Sequence, residues 1–482
     1  MLSQLAEISL SRSGGTPLAD QLFLAIGSRI EGGRLLENSR LPPTRELAAA
    51  LGVNRGTVQA AYRRLQEEGL VEGRVGSGTI VRAAPASRPV FRLTSLLSRR
   101  AAELPEESPV ELAAPVVADF SRLTPDERFF PLEEFTRTVA EAWSRRKELW
   151  QYAPPLGLEE LRGEISRRLA DHGIQRSTDE ILVTSGAQQG LDLLFRTFAD
   201  PGDLVGMESP TYSGALALSR LAGVGILPMP MEASGPDCSV LYGRRVKLVY
   251  VMSERQNPTG ITTGDEGRES VLAAALAAGA LVIEDGYEEP ESGITPLAVR
   301  RPDRVVWLGT LSKDLVPGFR IGWIAADRPI VERVARVKKA ADFQTPVPLQ
   351  AAVASFLRAG SDRRVRQNRD EELRLRVSGA RRALERHLPE LLWSGGEGNN
   401  PLFWLRLPDG VSGRRVAEAA GRRGVGIAPG QDFDPRAEDR PQMRLSVSRV
   451  EQSDIEPGIA LLAQAVREVR SRRSATMGAP VV

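Results

Sequence analysis

A chain of 482 residues exceeds one ordinary domain and predicts two or three. With 41% hydrophobic residues it can bury a large core, and a formal net charge of only +2 gives no global pull on nucleic acid, so any DNA contact must come from a local surface. A single cysteine, Cys238, excludes an intrachain disulfide framework and suits a reducing cytoplasm, while two histidines, His172 and His387, leave little for a His-rich metal site or a Ser-His-Asp triad.

The start, MLSQLAEISLSRSGG, lacks the basic segment and apolar run of a signal peptide, and no uncharged apolar stretch of about 18 residues predicts a membrane span. Residues 1–82 read as a compact helical unit. TPLADQLFLAIGSRIEGG places Leu18, Leu22, Ala25, Ile26 and Ile30 at helical spacing before a glycine pair. TRELAAALG predicts a second, short helix stopped by Gly52, and RGTVQAAYRRLQEEGL a third with Val58, Ala61, Tyr62 and Leu65 on one face. Two short helices around a glycine-containing turn make a helix-turn-helix, and LVEGRVGSGTIV adds strand, glycine-rich turn and strand as a small wing.

Residues 83–112, AAPASRPVFRLTSLLSRRAAELPEESPVEL, lose this order; Pro, Ser, Ala and mixed charge mark a linker with room for one short helix around Leu93–Leu104. From 113 to 482, strand-length apolar runs alternate with helical stretches. ILVTSG, LVGMES, GVGILPM, VKLVYVM, ALVIEDG, RVVWLGT and RIGWIAA read as strands, several continuous rather than alternating, as in strands covered on both faces. The expectation is an α/β domain with a large, mainly parallel sheet. From about residue 360, Arg-rich helices lead to PLFWLRLP, GVGIAPG and QMRLSVS, a smaller C-terminal α+β portion.

In such sheets ligands collect at the carboxyl ends of the strands. ILVT is followed by SGAQQG, whose helix-opening N–H groups at Gly186, Ala187 and Gln188, with Ser185, are suited to a phosphate. VKLVYVM leads to Asn257 in SERQNPTG, ALVIE to Asp285 and Tyr287, and RVVWLG to Thr310, Ser312, Lys313 and Arg320. Lys313 is one of five lysines against 59 arginines. Arginine cannot form an imine; a deprotonated lysine can. Taken singly, NPTG is an ordinary turn, an Asp after a strand a helix cap, and either tyrosine a core aromatic. Together, in one order and each just past a strand, they match what pyridoxal 5′-phosphate requires. Lys313 would bond to the cofactor aldehyde, and Asp285 would face the pyridine nitrogen. Asn257 and Tyr287 would donate to the ring oxygen. Arg320 would clamp the phosphate beside Thr310 and Ser312, and Tyr212 of ESPTY would stack on the ring.

On NPTG, SKDLVPGFRIG, YAPPLGLEELR and SGAQQGLDLL, residues 113–482 resemble the fold type I aminotransferases. That resemblance puts Arg444 of QMRLSVS on the substrate α-carboxylate. The first unit, through LPPTRELAAALGVNRGTVQAAYRRLQEEGLVEGRVGSGTIV, resembles the GntR-type winged helix. The fusion looks like the MocR subfamily of bacterial transcription regulators, which implies a homodimer, often head-to-tail. Asn54, Arg55 and Thr57 would then open a recognition helix in the major groove of double-stranded promoter DNA, Thr44 and Arg45 would contact phosphate, and Arg74 and Gly76 of the wing would approach the minor groove or backbone. Residues 1–82 hold ten arginines against eight acidic residues, so charge alone lends little support and binding would depend on two half-sites.

Two functions stay open. One is a regulator in which pyridoxal phosphate, alone or joined to an amino-compound effector as an external aldimine at Lys313, shifts the domains. The other is a working class I/II aminotransferase with an accessory DNA-binding domain. The intact DNA-reading pattern favours the first. Against the resemblance, Leu123 replaces the usual glycine of FSRLTPD and would narrow the substrate end. Gly214 stands where regulators sensing γ-aminobutyrate carry an arginine, which argues against that effector. Asn399 and Asn400 replace a common Gly-His pair.

Overall fold

The structure, a computed structural model, describes residues 2, 5, 8, 10, 17–31, 34–74, 78–82, 96–102, 104, 110–144, 146–287 and 294–477. Contacts divide the chain into two compact units, 1–97 and 98–482.

In the first unit, α1 (Leu18–Glu31) turns Leu22, Ile26 and Ile30 inward, the four-residue spacing that one buried helix face requires. The short helix α2 (Thr44–Leu51) stops at Gly52, whose φ of 60° lies in the left-handed region that glycine enters without a Cβ penalty. Helix α3 (Arg55–Glu67) begins at Asn54, whose side-chain oxygen accepts from the Gly56 N–H at 3.0 Å. Val58, Ala61, Tyr62 and Leu65 form its buried face. Full burial of each large apolar side chain there contributes roughly 1.5–3 kcal/mol. The Tyr62 hydroxyl donates to the Pro42 carbonyl at 2.9 Å, so its polar end is satisfied inside the core. Strands β1 (Val71–Arg74) and β2 (Gly78–Val81) pair antiparallel as the wing. Gly76 lies outside the described residues.

In the second unit, the linker's expected helix corresponds, among the described residues, to Arg99–Ala102; Leu93 lies outside them. A short β3 (Ala118–Asp119) comes next. All seven expected strands form: β4 (Ile181–Thr184), β5 (Leu204–Ser209), β6 (Gly225–Glu232), β8 (Leu248–Val251), β9 (Leu281–Gly286), β10 (Val305–Thr310) and β11 (Gly322–Ala325), with β7 (Gly235–Pro236) turning back from β6. Their order is β4-β11-β10-β9-β8-β5-β6-β7. The central pairs are parallel, whereas β11 runs antiparallel to both β10 and β4, and β7 to β6. Alternate residues serve opposite faces. Val249, Val282, Val305 and Trp307 enter one core, and Leu248, Tyr250, Ile283 and Leu308 the other. This double coverage explains the unbroken apolar runs. On the second face the helix Ala187–Phe198 lies close, because Gly190 lacks a side chain: a Cβ there would stand 2.5 Å from Leu308 Cδ1.

The smaller portion follows the 27-residue helix Ser361–His387. Its strands are β12 (Leu392–Gly395), β13 (Leu402–Arg406), β14 (Val425–Gly426), β15 (Ala428–Pro429) and β16 (Gln442–Ser446). Four of them form a sheet in the order β12-β13-β16-β15. One feature differs from the sequence reading. The segment before the large sheet also belongs here: β3 pairs with β14, and Ala118 and Phe120 enter the same core as Val425, Leu445 and Leu462. A two-residue strand leaves no periodicity to read.

Candidate functional site

The carboxyl ends of β8, β9 and β10 bring the expected residues into one region. Asp285 is the penultimate residue of β9, with a buried side chain. Its Oδ2 accepts from the Tyr250 hydroxyl at 2.6 Å, while Oδ1 is buried with no protein partner. Burial pushes this carboxyl up to about 6, opposed by the Tyr250 hydrogen bond and by the nearby Lys313 charge. Lys313, half-buried just past β10, donates from Nζ to the carbonyl of Leu123, 190 residues away in sequence. Asp285 and Lys313 are therefore electrostatic neighbours.

Asn257 is buried, and its Oδ1 accepts from Arg444 Nη1 at 2.9 Å. Arg444, on β16, also donates to the Ser121 carbonyl and lies over the Phe433 ring, 4.9 Å from its centroid. Its burial pulls the guanidinium down to about 10. A buried cation held by neutral groups favours an anionic ligand. The Tyr287 hydroxyl donates to the Arg255 carbonyl, so in this arrangement it braces the turn before Asn257. Tyr212 precedes the helix Ser213–Ala222; burial and the Asp285 charge raise its phenol, while Arg320 and Arg444 oppose the rise. The Tyr212 ring therefore sits within the field of all three charged groups.

At the helix Ala187–Phe198, Gly186 takes a φ of 86° and Arg320 Nη2 donates to the Ser185 carbonyl at 3.0 Å. A Cβ on Gly186 would lie 2.5 Å from Arg320 Nη2. A glycine, a helix N-terminus and a guanidinium are thus packed together, the parts of an anion cradle. Ser312 Oγ and Gln188 Oε1 are buried without a partner. The Ser185 hydroxyl lies 3.3 Å from that of Thr345. Thr310 lies at the end of β10. Its hydroxyl donates to the Ile321 carbonyl at 3.2 Å and accepts from the Ser312 N–H at 3.1 Å, so in this arrangement it braces the Lys313 turn.

Sequence reasoning passed over several supporting residues. Arg369 Nη1 donates to the Lys313 carbonyl at 3.0 Å, and Asp314 is buried against Arg168. Gln256 donates to the buried Glu208 at 3.2 Å and to the Pro210 carbonyl at 2.7 Å, and accepts from Thr259, which locks the Asn257 turn. A hydroxyl in the continuously apolar run VKLVYVM was the one available signal for Tyr250, since a buried phenol needs a partner. Asn400 donates to the Gly260 carbonyl at 2.8 Å and Asn399 accepts from Arg255, so this pair holds the same loop from the smaller portion. At Gly214 a Cβ would lie 2.5 Å from the Tyr212 ring and 2.6 Å from Gln188 Oε1, which excludes any side chain while Tyr212 keeps its place.

In the first unit Arg45, Asn54 and Arg55 are exposed, and Thr44 and Thr57 half-buried, at the adjoining starts of α2 and α3. The Asn54 side-chain oxygen is committed to its cap. The backbone of Arg74 ends β1.

Comparison with known proteins agrees with both halves. Residues 122–461 match aminotransferase class I and II, and residues 18–81 match the bacterial regulatory proteins of the gntR family. The HTH-type transcriptional regulator TauR of Rhodobacter capsulatus is 31% identical over 480 residues, covering 95% of this chain and 98% of that protein. The chain belongs to the MocR subfamily of GntR-type regulators. A probable rhizopine catabolism regulatory protein, MocR of Rhizobium meliloti, is 31% identical over 73% of this chain and 74% of its own. Among solved structures, LysN of Thermus thermophilus, an α-aminoadipate aminotransferase complexed with N-(5′-phosphopyridoxyl)-L-leucine, superposes with a TM-score of 0.72 at 27% identity, over 79% of this chain and 99% of that one. The cofactor of this MocR-type chain is pyridoxal 5′-phosphate. Its residues fit that group: Asp285 Oδ1 and Ser312 Oγ are buried acceptor and hydroxyl positions with no protein partner, and Gly186 leaves room beside Arg320.

Proposed function

We infer that this protein is a pyridoxal-phosphate-dependent, DNA-binding transcription regulator. The carrying observation is the coexistence, in one chain, of the three helices and two wing strands of the first unit and the neighbouring Lys313 and Asp285. When bound, pyridoxal phosphate supplies an aldehyde for a primary amine and a ring that withdraws electrons. The protein's own residues do the rest. Lys313 provides the amine, Asp285 an acceptor for the ring nitrogen's proton, and Asn257 a neutral contact whose oxygen is already fixed by Arg444. Gly186, Ala187, Gln188, Ser185, Ser312 and Arg320 hold the phosphate, Tyr212 covers the ring, and Arg444 takes an effector carboxylate. An amino acid or related amino compound is the effector class. It can bias DNA binding only as far as it prefers one protein state over the other.

For DNA, Arg55 and Thr57 would read the major groove from the start of α3, and Thr44 and Arg45 would take phosphates. The division into 1–82, a linker 83–112, and 113–482 follows the composition and accords with the residues that the two families match. Homodimerisation is supported by exposed Leu132, Trp150, Tyr152 and Phe343, with the Tyr152 and Phe343 rings 5.8 Å apart. No helix among the described residues is long and apolar enough to cross a membrane, and a cytoplasmic location accords with binding promoter DNA. A gel shift on the gene's own upstream DNA, with and without pyridoxal phosphate, tests the reading. A cofactor-dependent shift is expected; absence of any specific complex would overturn it.

A catalytic reading has one observation in its favour, the buried Asp285 and Ser312 atoms left without a protein partner in a site suited to the cofactor. Sustained turnover in transamination assays over an amino-acid panel would favour it.

A further inference from the structure

Tyr250 lies on β8, beside β9, with Ile283 as its registered neighbour. Its side chain is wholly buried in the core that contains Leu248, Met252, Ile283 and Leu308. A phenylalanine would fill that space equally well, so packing does not account for the hydroxyl. What the hydroxyl does is donate to Asp285 Oδ2 at 2.6 Å. Among the described residues no other hydrogen-bond donor to Asp285 occurs, and Oδ1 is left buried without a partner.

We propose that Tyr250 is a positioning residue of the cofactor site: its proton occupies one oxygen of Asp285 and leaves the other as the acceptor for the ring nitrogen of pyridoxal phosphate. The inference rests on the reading of Asp285 given above. A carboxylate has two equivalent oxygens and a freely chosen rotamer. Fixing one oxygen from the neighbouring strand removes that freedom before the cofactor arrives, so less ordering is required on binding.

The phenol also favours the ionised form of the acid. Asp285 is buried, Lys313 is the cation acting on it, and its own charge helps to push the neighbouring buried carboxyl of Glu208 up. A donor to the ionised form lowers a carboxyl's pKa, and a ring N–H binds an ionised acceptor more strongly than a neutral one.

The test compares Tyr250→Phe with the parent protein for two ligands, pyridoxal phosphate and its 1-deaza analogue, whose ring carries CH in place of nitrogen. Dissociation constants are read by fluorescence quenching, with circular dichroism and thermal melting as checks on folding. The expected result is a pyridoxal phosphate Kd raised about tenfold or more, the range for a hydrogen bond to a charged group, with the deaza analogue's Kd changed less than about twofold. Equal weakening of both ligands would mean that the hydroxyl only supports the core, and no change in either would mean that it has no role; both overturn the proposal. Asp285→Asn, measured alongside, separates the two levels. If it leaves pyridoxal phosphate binding intact, the assignment of Asp285 itself fails; if it weakens binding while Tyr250→Phe does not, only the role of Tyr250 fails.

Discussion

Arg369 reaches the main-chain carbonyl of Lys313 at 3.0 Å and Asp314 Oδ1 at 3.3 Å, while Arg168 holds the other oxygen of Asp314 from the opposite side. The turn that presents the amine is thus gripped by two guanidiniums, on helices Glu159–Ala170 and Ser361–His387. Removing one partner of such a buried pair leaves its counter-charge uncompensated and costs about 3–5 kcal/mol. Arg369 is the more accessible partner, and its replacement is the milder change. Arg369→Gln should leave the protein folded but slow its capture of pyridoxal phosphate, followed as growth of the visible absorbance on mixing. Capture at the parent rate would mean that the turn holds without it.

Lys313→Ala removes the amine whose charge acts on Asp285. The purified variant should lack the visible absorbance that the parent shows after addition of the cofactor, while circular dichroism stays unchanged. A colourless parent protein would refute the site.

At the DNA-reading end, Arg55 is exposed at the first turn of α3 and Asn54 caps it. Arg55→Ala should weaken operator binding in a gel shift and leave cofactor absorbance intact. Asn54→Ala should in addition lower the stability of the first unit by about 1 kcal/mol through the lost cap. If Arg55→Ala also bleached the cofactor, the division of labour between the two units would be wrong.

In the cofactor-free protein, burial holds Asp285 at about 6, above the roughly 3.9 of an exposed aspartate. The folded state therefore keeps this proton more tightly than the unfolded chain. The stability linked to it is fully present below about pH 4 and lost as pH rises through about 6. Two pKa units correspond to about 3 kcal/mol as an order of magnitude. Cofactor-free Asp285→Asn should be more resistant to urea than the parent near neutral pH, with the advantage gone at about pH 4. Urea melts at the two pH values check this; a variant less stable at neutral pH would contradict it. The same substitution should weaken pyridoxal phosphate, so stability and binding would move in opposite directions.

Much of the site was legible because α/β sheets deliver their ligand groups just past strand ends, and strand-length apolar runs are visible in the chain. The positions of Asn257, Asp285, Tyr287, Ser312 and Lys313 just past strands were legible in that way, and the inward face of α3 by its spacing. At Thr310 a strand-end hydroxyl can serve its own turn as readily as a ligand, and the sequence does not show the bond to Ile321 that the fold makes.

By itself the sequence determined the helix-turn-helix and wing, the seven principal strands of the large sheet and the order of the chemical groups that follow them. Each of these depends on neighbours a few residues away, where helix and strand periodicity act. Only the tertiary structure decided that Tyr250 meets Asp285, that Arg444 meets Asn257 across 187 residues, that Lys313 meets Leu123, and that residues 118–120 complete the smaller portion. Such contacts are set by how whole layers pack and which face each strand presents, and no local pattern encodes the distance between two side chains that meet only after the chain has folded.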